Sequence, residues 1–197
     1  KLEPTDKQLQ TLISGWGNAA WSADVKYLRA ILKEIQERKN LTILECGTGL
    51  TTILIGIIGD ENRHRVISLE HHSKWHQKIS DELENSKVGS VSLNLCPLKD
   101  YGNFEWYDTS NINLSAFGDI NLVICDGPPG SSKGGRIGLP YRCATSFSHY
   151  CLVLADDTHR NQEQMMLEQW VSEFSATINR DKSASHFTAV TFSQASR

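Results

Sequence analysis

The chain has 197 residues, which is enough for one domain with a sizeable buried core. Its formal net charge of −3 and isoelectric point near 6.2 show no basic excess, so no nucleic-acid partner is expected. The apolar runs are far shorter than the roughly 18 residues of a membrane span, and the polar N-terminal stretch does not resemble a signal peptide, so no membrane association is expected.

Five cysteines occur without a CxxC spacing. Three of them, Cys46, Cys125 and Cys151, lie in apolar runs, where a free thiol behaves as a small hydrophobic side chain. Such cysteines are typical of the reducing cytoplasm, which is the expected location of the protein. The sequence leaves open whether the chain forms a homo-oligomer.

Short β-rich runs alternate with helical segments along the chain, which is typical of a parallel sheet with helices on both faces. Residues 1–40 predict N-terminal helices, a short one around 6–13 and an amphipathic one over 22–39 with Ser22 as its cap. Residues 41–197 predict the core, with strands at 41–46, 65–70, 90–95, 120–126, 150–157, 176–179 and 185–194. We therefore expect a single domain over residues 1–197, an α/β fold with a Rossmann-like, doubly wound, seven-stranded and mostly parallel sheet.

The stretch ILECGTGLTT, residues 43–52, joins the first strand to a helix through two glycines. It lacks the GxxxxGK string of a P-loop. A dinucleotide loop would have GxGxxG, but Thr52 stands where the third glycine belongs. Glu45 lies just before the turn, where its carboxylate would repel a pyrophosphate and attract an α-amino group. The loop therefore favours S-adenosylmethionine, which has no phosphate; a tight turn without any ligand is the alternative.

A second acidic residue, Glu70, ends the next predicted strand. At that position a carboxylate can accept hydrogen bonds from both hydroxyls of a ribose. Dinucleotide-binding enzymes use the same position. Glu70 therefore indicates a ribose without identifying the cofactor.

Three motifs, LECGTGLTT, ISLE and LVICDGPPG, resemble those of the class I S-adenosylmethionine-dependent methyltransferases. The stretch from DGPPG to LVLADDTHRNQE is similar to a subgroup of small-molecule O-methyltransferases, related at greater distance to the catechol type. The usual third glycine of the first motif is replaced by Thr51. The resemblance implies a small-molecule acceptor and a cofactor site formed by Glu45, Gly47, Thr48, Gly49, Thr51, Thr52, Glu70, His71, Cys96, Pro97, Leu98 and Asp126. Of these, Glu70 would bind the ribose, and His71 with residues 96–98 would surround the adenine.

Acidic side chains end the fourth and fifth predicted strands, at Asp126 and at Asp156 with Asp157. The carboxyl ends of parallel strands meet at one edge of a sheet, where ligands of such folds bind. The three carboxylates could hold Mg²⁺, as the resemblance to the catechol type indicates, and the metal would acidify a substrate hydroxyl. Alternatively, Asp126 flanks the methionine part of the cofactor, and Asp157 caps the following helix or orients His159.

His159 and Arg160 follow these aspartates directly. The imidazole of His159 could deprotonate a substrate hydroxyl, so Asp126, Asp157 and His159 are the candidate catalytic residues; a solvated loop histidine is the alternative. Arg160 could hold an acidic substrate group, but an ion pair with Asp157 or Glu163 is the simpler interpretation.

The segment 127–141 is rich in glycine and proline and predicts an irregular loop. With Lys133 and Arg136 as positive charges, it is a candidate lid over the substrate; a disordered surface loop is the alternative. Trp106 and Tyr107 could line the ligand pocket or belong to the hydrophobic core.

The leading hypothesis is an S-adenosylmethionine-dependent methyltransferase acting on a hydroxyl of a small molecule. An NAD-dependent oxidoreductase on the same architecture is the second, although Glu45 and Thr52 count against it. A non-catalytic domain that binds a nucleoside or a protein partner is the third.

Overall fold

The computed structural model describes residues 4–18 and 22–193. Its helices are α1 (Asp6–Trp16), α2 (Val25–Glu37), α3 (Leu50–Asn62), α4 (Ser73–Asn85), α5 (Gly138–Cys143) and α6 (Asn161–Glu173). Its strands are β1 (Thr42–Cys46), β2 (Arg65–Glu70), β3 (Val91–Leu95), β4 (Leu98–Asp100), β5 (Glu105–Tyr107), β6 (Ile120–Cys125), β7 (Phe147–Ala155), β8 (Ala176–Ile178) and β9 (Thr188–Ser193).

The main sheet has seven strands in the order β3-β2-β1-β6-β7-β9-β8. The strands from β3 to β7 in this order pair in parallel, whereas β9 is antiparallel to both of its neighbours. The predicted seven-stranded, mostly parallel sheet is therefore confirmed. Strand β1 pairs with β2 on one side and with β6 on the other, so the winding of the chain reverses at β1. A reversal of this kind opens a crevice at the carboxyl ends of the two adjoining strands.

The two faces of the sheet are covered by separate hydrophobic clusters, so neighbouring residues of β1 point into different cores. Ile43 packs with α1, α2 and α3, whereas Leu44 packs with Trp170 of α6. All three side chains are fully buried. Burying an aliphatic side chain of this size contributes about 1.5–3 kcal/mol relative to leaving it exposed. Trp170 therefore belongs to the hydrophobic core on this face of the sheet.

Helix α2 places its apolar side chains on the face that covers β1. Leu28, Ile31, Leu32 and Ile35 are buried at helical spacing. The helix begins at Val25, later than predicted, because the carboxylate of Asp24 accepts a hydrogen bond from the Tyr27 amide at 2.7 Å. Asp24, and not Ser22, is therefore the cap.

Two elements depart from the predicted pattern. Strands β4 and β5 form a separate antiparallel pair that the sequence does not reveal, because three residues are too few to show alternation. Helix α5 begins at Gly138, inside the segment predicted to be an irregular loop, and Pro140 lies in its first turn, where proline is tolerated. A side chain at Gly138 would lie 2.9 Å from the rings of Phe104 and Trp106, so the close packing of α5 requires glycine there.

All five cysteines are buried free thiols, including Cys46, Cys125 and Cys151, the three expected to behave as small hydrophobic side chains. In the described part of the chain, no helix is both long enough and apolar enough to span a membrane.

Candidate functional site

A cavity of about 540 Å³ opens at the carboxyl ends of β1, β2, β6 and β7. This volume is within the range of about 300–1,000 Å³ that is usual for small-molecule sites. Its wall is formed by residues of the N-terminal region, of α4, of β5 and of the segments at and after the ends of these four strands: Asn18, Ser22, Gly47, Thr48, Glu70, His71, His72, Trp75, Tyr107, Asp126, Gly127, Pro129, Gly130, Arg136, Asp156, Asp157 and Arg160.

The glycine turn after β1 forms one wall through Gly47 and Thr48. Gly47 has a φ of +85°, and a Cβ there would lie 3.0 Å from the backbone nitrogen of Gly127 in the turn after β6. Two glycine turns therefore touch back to back, and neither leaves room for a side chain between them. Gly49 lies at the start of α3, where its amide donates to the hydroxyl of Thr52 at 2.9 Å. Gly49 and Thr52 thus build the turn without lining the cavity.

Glu45 lies behind this turn and is fully buried. Its Oε1 accepts a hydrogen bond from the hydroxyl of Thr51, and its Oε2 accepts one from Ser68, both at 2.6 Å. Ser68 is the residue opposite Glu45 in the β1–β2 register. Neither Glu45 nor Thr51 belongs to the described cavity wall. In this geometry the carboxylate supports the turn from inside the protein, and a direct contact with a ligand stays a prediction.

The protonation of Glu45 predicts how stability depends on pH. Burial raises the pKa of Glu45 to about 7, although hydrogen bonds from Ser68 and Thr51 oppose the shift. A folded-state pKa above the unfolded value means that the stabilisation is complete below about pH 4.5 and is lost as pH rises through about 7. At about 1.4 kcal/mol for each pH unit, this loss amounts to roughly 3 kcal/mol. Glu45→Gln, which does not titrate, should remove that part of the pH dependence of the unfolding free energy.

Urea unfolding of the wild-type and variant proteins between pH 5 and pH 8 measures this effect. Glu61→Gln, at an exposed position near the end of α3, is the matched control and should keep the wild-type slope. Equal slopes for wild type and Glu45→Gln would show that Glu45 does not change protonation in this range.

Glu70 ends β2 and turns its carboxylate toward the cavity. Its Oε2 accepts from the hydroxyl of Thr48 at 2.7 Å, and its Oε1 accepts from the amide of His72 at 2.8 Å. Burial alone would raise the pKa of Glu70, but hydrogen bonds from His71, Thr48 and His72 hold it below its ordinary value. Glu70 is therefore ionised at neutral pH and is a strong hydrogen-bond acceptor in the cavity wall.

The expected adenine-binding residues are not brought together. His71 lines the cavity, whereas Cys96, Pro97 and Leu98 do not belong to its described wall. Cys96 is buried in the core, Pro97 is exposed to solvent, and Leu98 packs against the core from β4. The β4–β5 pair, absent from the predicted topology, redirects the chain after β3.

Tyr107, at the end of β5, lines the cavity in their place. It is fully buried, and its hydroxyl has no hydrogen-bond partner among the described residues. The neighbouring Trp106 is also fully buried but belongs to the core. Both aromatic residues therefore belong to the core, and Tyr107 also lines the pocket.

Arg136 binds the acidic residues that follow β6 and β7, on the side of the cavity opposite Glu70. Its Nη2 donates to Asp126 Oδ1 at 3.0 Å and to Asp157 Oδ2 at 2.8 Å, while its Nη1 donates to the carbonyl oxygen of Asp156. The Arg136 side chain is 3% exposed, and those of Asp126 and Asp157 are 26% and 21% exposed. The guanidinium is thus a buried cation whose two carboxylate partners face the cavity. Of the two residues expected to give positive charge to a lid over the substrate, Lys133 is half exposed whereas Arg136 is buried, and the lid itself stays a prediction.

The same contacts show that these aspartates do not fit a magnesium site. One oxygen of Asp126 and one of Asp157 are bound by the guanidinium of Arg136, and Asp156 Oδ1 accepts from the Asp157 amide at 2.8 Å. A protein cation therefore stands between the carboxylates that were expected to coordinate Mg²⁺. Across residues 4–18 and 22–193, no group of three or more histidine, cysteine or acidic side chains could hold a metal ion.

His159 lies outside the described cavity wall. It is exposed to solvent, and its ring packs against that of His186 with centroids 4.7 Å apart. Arg160 lines the cavity instead, and its Nη1 lies 2.8 Å from Asp157 Oδ2. The predicted ion pair of Arg160 with Asp157 is therefore present, whereas His159 does not line the cavity together with Asp126 and Asp157.

Trp75 is a cavity residue that the sequence does not indicate. Its indole nitrogen donates to the carbonyl oxygen of Thr48 at 2.7 Å, which fixes the glycine turn to α4. Its ring meets that of Trp16 edge to face, with centroids 6.5 Å apart. This contact joins α4 to α1, after which Asn18 and Ser22 reach the cavity. No local sequence pattern predicts these contacts, because they depend on how α1 packs against α4.

The chain matches no family model and no curated protein, so the comparisons rest on solved structures. A methyltransferase from Podospora anserina bound to S-adenosylhomocysteine is 13% identical, with a TM-score of 0.66 over 97% of this chain and 89% of that chain. An O-methyltransferase from Bacillus cereus, in complex with S-adenosylhomocysteine, is 16% identical, with a TM-score of 0.60 over 98% and 93%.

The O-methyltransferase TomG from Streptomyces achromogenes, solved with S-adenosylmethionine, is 10% identical. Its TM-score is 0.60, and the match covers 99% of this chain and 92% of that chain. At identities this low, the structural similarity establishes the architecture alone. The activity has to be argued from the site. The chain has the Rossmann-like fold of the class I S-adenosylmethionine-dependent methyltransferases.

Proposed function

We propose that the protein is an S-adenosylmethionine-dependent methyltransferase that methylates a hydroxyl group of a small molecule. The observation that carries the proposal is the composition of the cavity. A glycine turn and the ionised Glu70 form one wall, and the carboxylates of Asp126 and Asp156 lie on the opposite side at the same sheet edge.

In this proposal, Gly47 and Thr48 contact the methionine end of the cofactor, Glu70 binds the ribose, and His71 and Tyr107 lie beside the adenine. Glu70 already accepts from the Thr48 hydroxyl, so a ribose hydroxyl would share or replace that hydrogen bond. The unpartnered Tyr107 hydroxyl supplies a further polar contact in the same wall. Asp126 flanks the methionine end.

The charge of the cavity wall favours this cofactor over a dinucleotide. Four carboxylates line the cavity, those of Glu70, Asp126, Asp156 and Asp157. The two lining guanidiniums, Arg136 and Arg160, are both already paired with Asp157. Beside the ionised Glu70 a pyrophosphate would be repelled, whereas a sulfonium and an ammonium would be attracted.

S-adenosylmethionine, when bound, supplies the methyl group. The protein positions the acceptor hydroxyl in line with the methyl carbon and takes its proton. Asp126 is the proposed proton acceptor because it faces the cavity. Burial raises its pKa to about 8, against the influence of Arg136, so its ionised form, which predominates above that pH, is a stronger base. Asp157 positions Arg136, which in turn holds Asp126.

The small-molecule acceptor is part of the proposal, as is a cytoplasmic location, which the five free thiols support. Isothermal titration with S-adenosylmethionine, S-adenosylhomocysteine and NAD tests the cofactor. We expect both adenosyl compounds to bind and NAD not to bind. Binding of NAD alone would replace this proposal with an oxidoreductase.

Glu70→Gln should weaken the binding of S-adenosylmethionine and of S-adenosylhomocysteine to the same extent, because both ligands carry the same ribose. The expected loss is about 1.5–3 kcal/mol, the range for a hydrogen bond to a charged group. Calorimetric titration of each ligand measures it, and Asp81→Asn on the exposed face of α4 is the matched control. If the variant still distinguishes ribose from 2′-deoxyribose analogues as wild type does, Glu70 does not bind the ribose.

A further inference from the structure

A second cavity of about 310 Å³ adjoins the first and shares Pro129, Gly130 and Arg160 with it. Its remaining wall is formed by Ser131, Gln162 and Glu163. It therefore lies between the turn after β6 and the first turn of α6, next to the acidic side of the main cavity.

Glu163 is the unusual residue of this second cavity. It is 1% exposed, and its Oε1 has no hydrogen-bond partner among the described residues. No described lysine, arginine or histidine forms an ion pair with it. A buried carboxylate without partners is costly, and such groups are normally paired or hydrogen-bonded. A position near the N-terminus of a helix favours negative charge but does not supply the missing donor.

The polar neighbours of Glu163 are already engaged elsewhere. Arg160 binds Asp157 at 2.8 Å. The amide of Gln162, with its oxygen and nitrogen placed to satisfy both neighbours, donates to the Gly130 carbonyl at 3.2 Å and accepts from the Gly135 amide at 2.9 Å. The described residues therefore leave Oε1 of Glu163 without a hydrogen-bond donor.

We infer that the second cavity is a subsite for the methyl acceptor, in which Glu163 binds a protonated amine of that acceptor. This inference rests on the proposed methyltransferase function and specifies its substrate class. A cation is favoured over a neutral donor because it neutralises the buried charge as well as filling the hydrogen bond. The shared wall lets one molecule place its hydroxyl near Asp126 and its amine near Glu163.

Gly130 lies in the wall of both cavities. A Cβ at this position would lie 3.4 Å from Glu163 Oε1 and 3.5 Å from Arg160 Nη1, which is ordinary contact distance. A methyl group there would fill the space beside the carboxylate without forcing the backbone to move. Gly130→Ala therefore tests the subsite without changing any charge.

The experiment uses tyramine, which has a phenol and an amine, and para-ethylphenol, which has the phenol without the amine. Both are titrated calorimetrically into protein saturated with S-adenosylhomocysteine. We expect wild type to bind tyramine about tenfold or more tightly than para-ethylphenol, as a hydrogen bond to a charged group predicts. Glu163→Gln should abolish that preference. Gly130→Ala should weaken the binding of tyramine but not that of para-ethylphenol. Glu168→Gln, on the exposed face of α6, is the matched control.

The titration with S-adenosylhomocysteine distinguishes a failure of the proposed function from a failure of the acceptor subsite. If wild type does not bind it, the proposed function fails and the acceptor subsite fails with it. If every variant binds it normally but wild type shows no preference for tyramine, only the acceptor subsite is overturned. A preference that survives in both Glu163→Gln and Gly130→Ala also overturns it, and thermal unfolding shows whether each variant is folded.

Discussion

Replacing Arg136 by methionine is expected to lower the free energy of unfolding by about 3 kcal/mol. The variant removes one buried guanidinium that binds Asp126, Asp157 and the carbonyl oxygen of Asp156. Breaking a buried ion pair from one side typically costs about 3–5 kcal/mol, because the other charge stays behind. The lower end applies here since both carboxylates are partly exposed in the cavity and Asp157 keeps Arg160. Urea unfolding at neutral pH measures the loss.

Lys133→Met is the matched control, because Lys133 belongs to the same loop but is half exposed and pairs with the exposed Asp100 at 3.3 Å. Surface pairs of this kind contribute about 0–1 kcal/mol. The deficit of Arg136→Met should also shrink at low pH, where the aspartates that lost their cation become protonated in the folded protein. Equal stability of the two variants would show that Arg136 is not essential to the acidic wall.

Replacing Asp126 by asparagine is expected to reduce turnover by about 10²–10⁴-fold, the usual value of general-base catalysis. Asparagine keeps the shape of the side chain and can still meet Arg136 through its oxygen, but it cannot accept the hydroxyl proton. Affinity for S-adenosylhomocysteine should change much less. The assay follows formation of that product, with the acceptor that wild type uses fastest among phenols, catechols and sugars.

Two comparisons decide what the loss means. His159→Ala should retain nearly full turnover, since this histidine is exposed and lies outside the described cavity wall. A loss in His159→Ala equal to that of Asp126→Asn would assign the base to the histidine. A chelator should not reduce wild-type turnover, because Arg136 already neutralises the carboxylates. Turnover that disappears with the chelator and returns with Mg²⁺ would show that the reaction requires a metal ion.

The parts of the fold that could be predicted are those encoded by local patterns. Strand β1, its glycine turn and Glu70 follow from a few neighbouring residues, and the structure places Gly47, Thr48 and Glu70 together in one wall. Glu45 was predicted at the correct strand end, but its surroundings depend on Ser68, which only the register of β1 and β2 brings opposite to it.

Arg136 could not be predicted for a related reason. Within the sequence it belongs to a loop rich in glycine, which favours an exposed position. Its burial depends on carboxylates and carbonyls that follow β6 and β7, and these are brought together only by the parallel pairing of those strands. The failure to predict β4 and β5 has a different cause, because strands of three residues carry too little pattern.

The contact between Gly47 and Gly127 limits how the site can change during evolution. Because two backbones meet there without side chains, the gap between the wall at Thr48 and the wall at Asp126 cannot be widened or narrowed by substituting either glycine. A lineage that acquires a new acceptor must therefore alter the far side, from Pro129 to Ser131 and at Arg160 and Glu163. Sequence divergence among descendants of this protein should be concentrated there, while both glycine turns stay invariant.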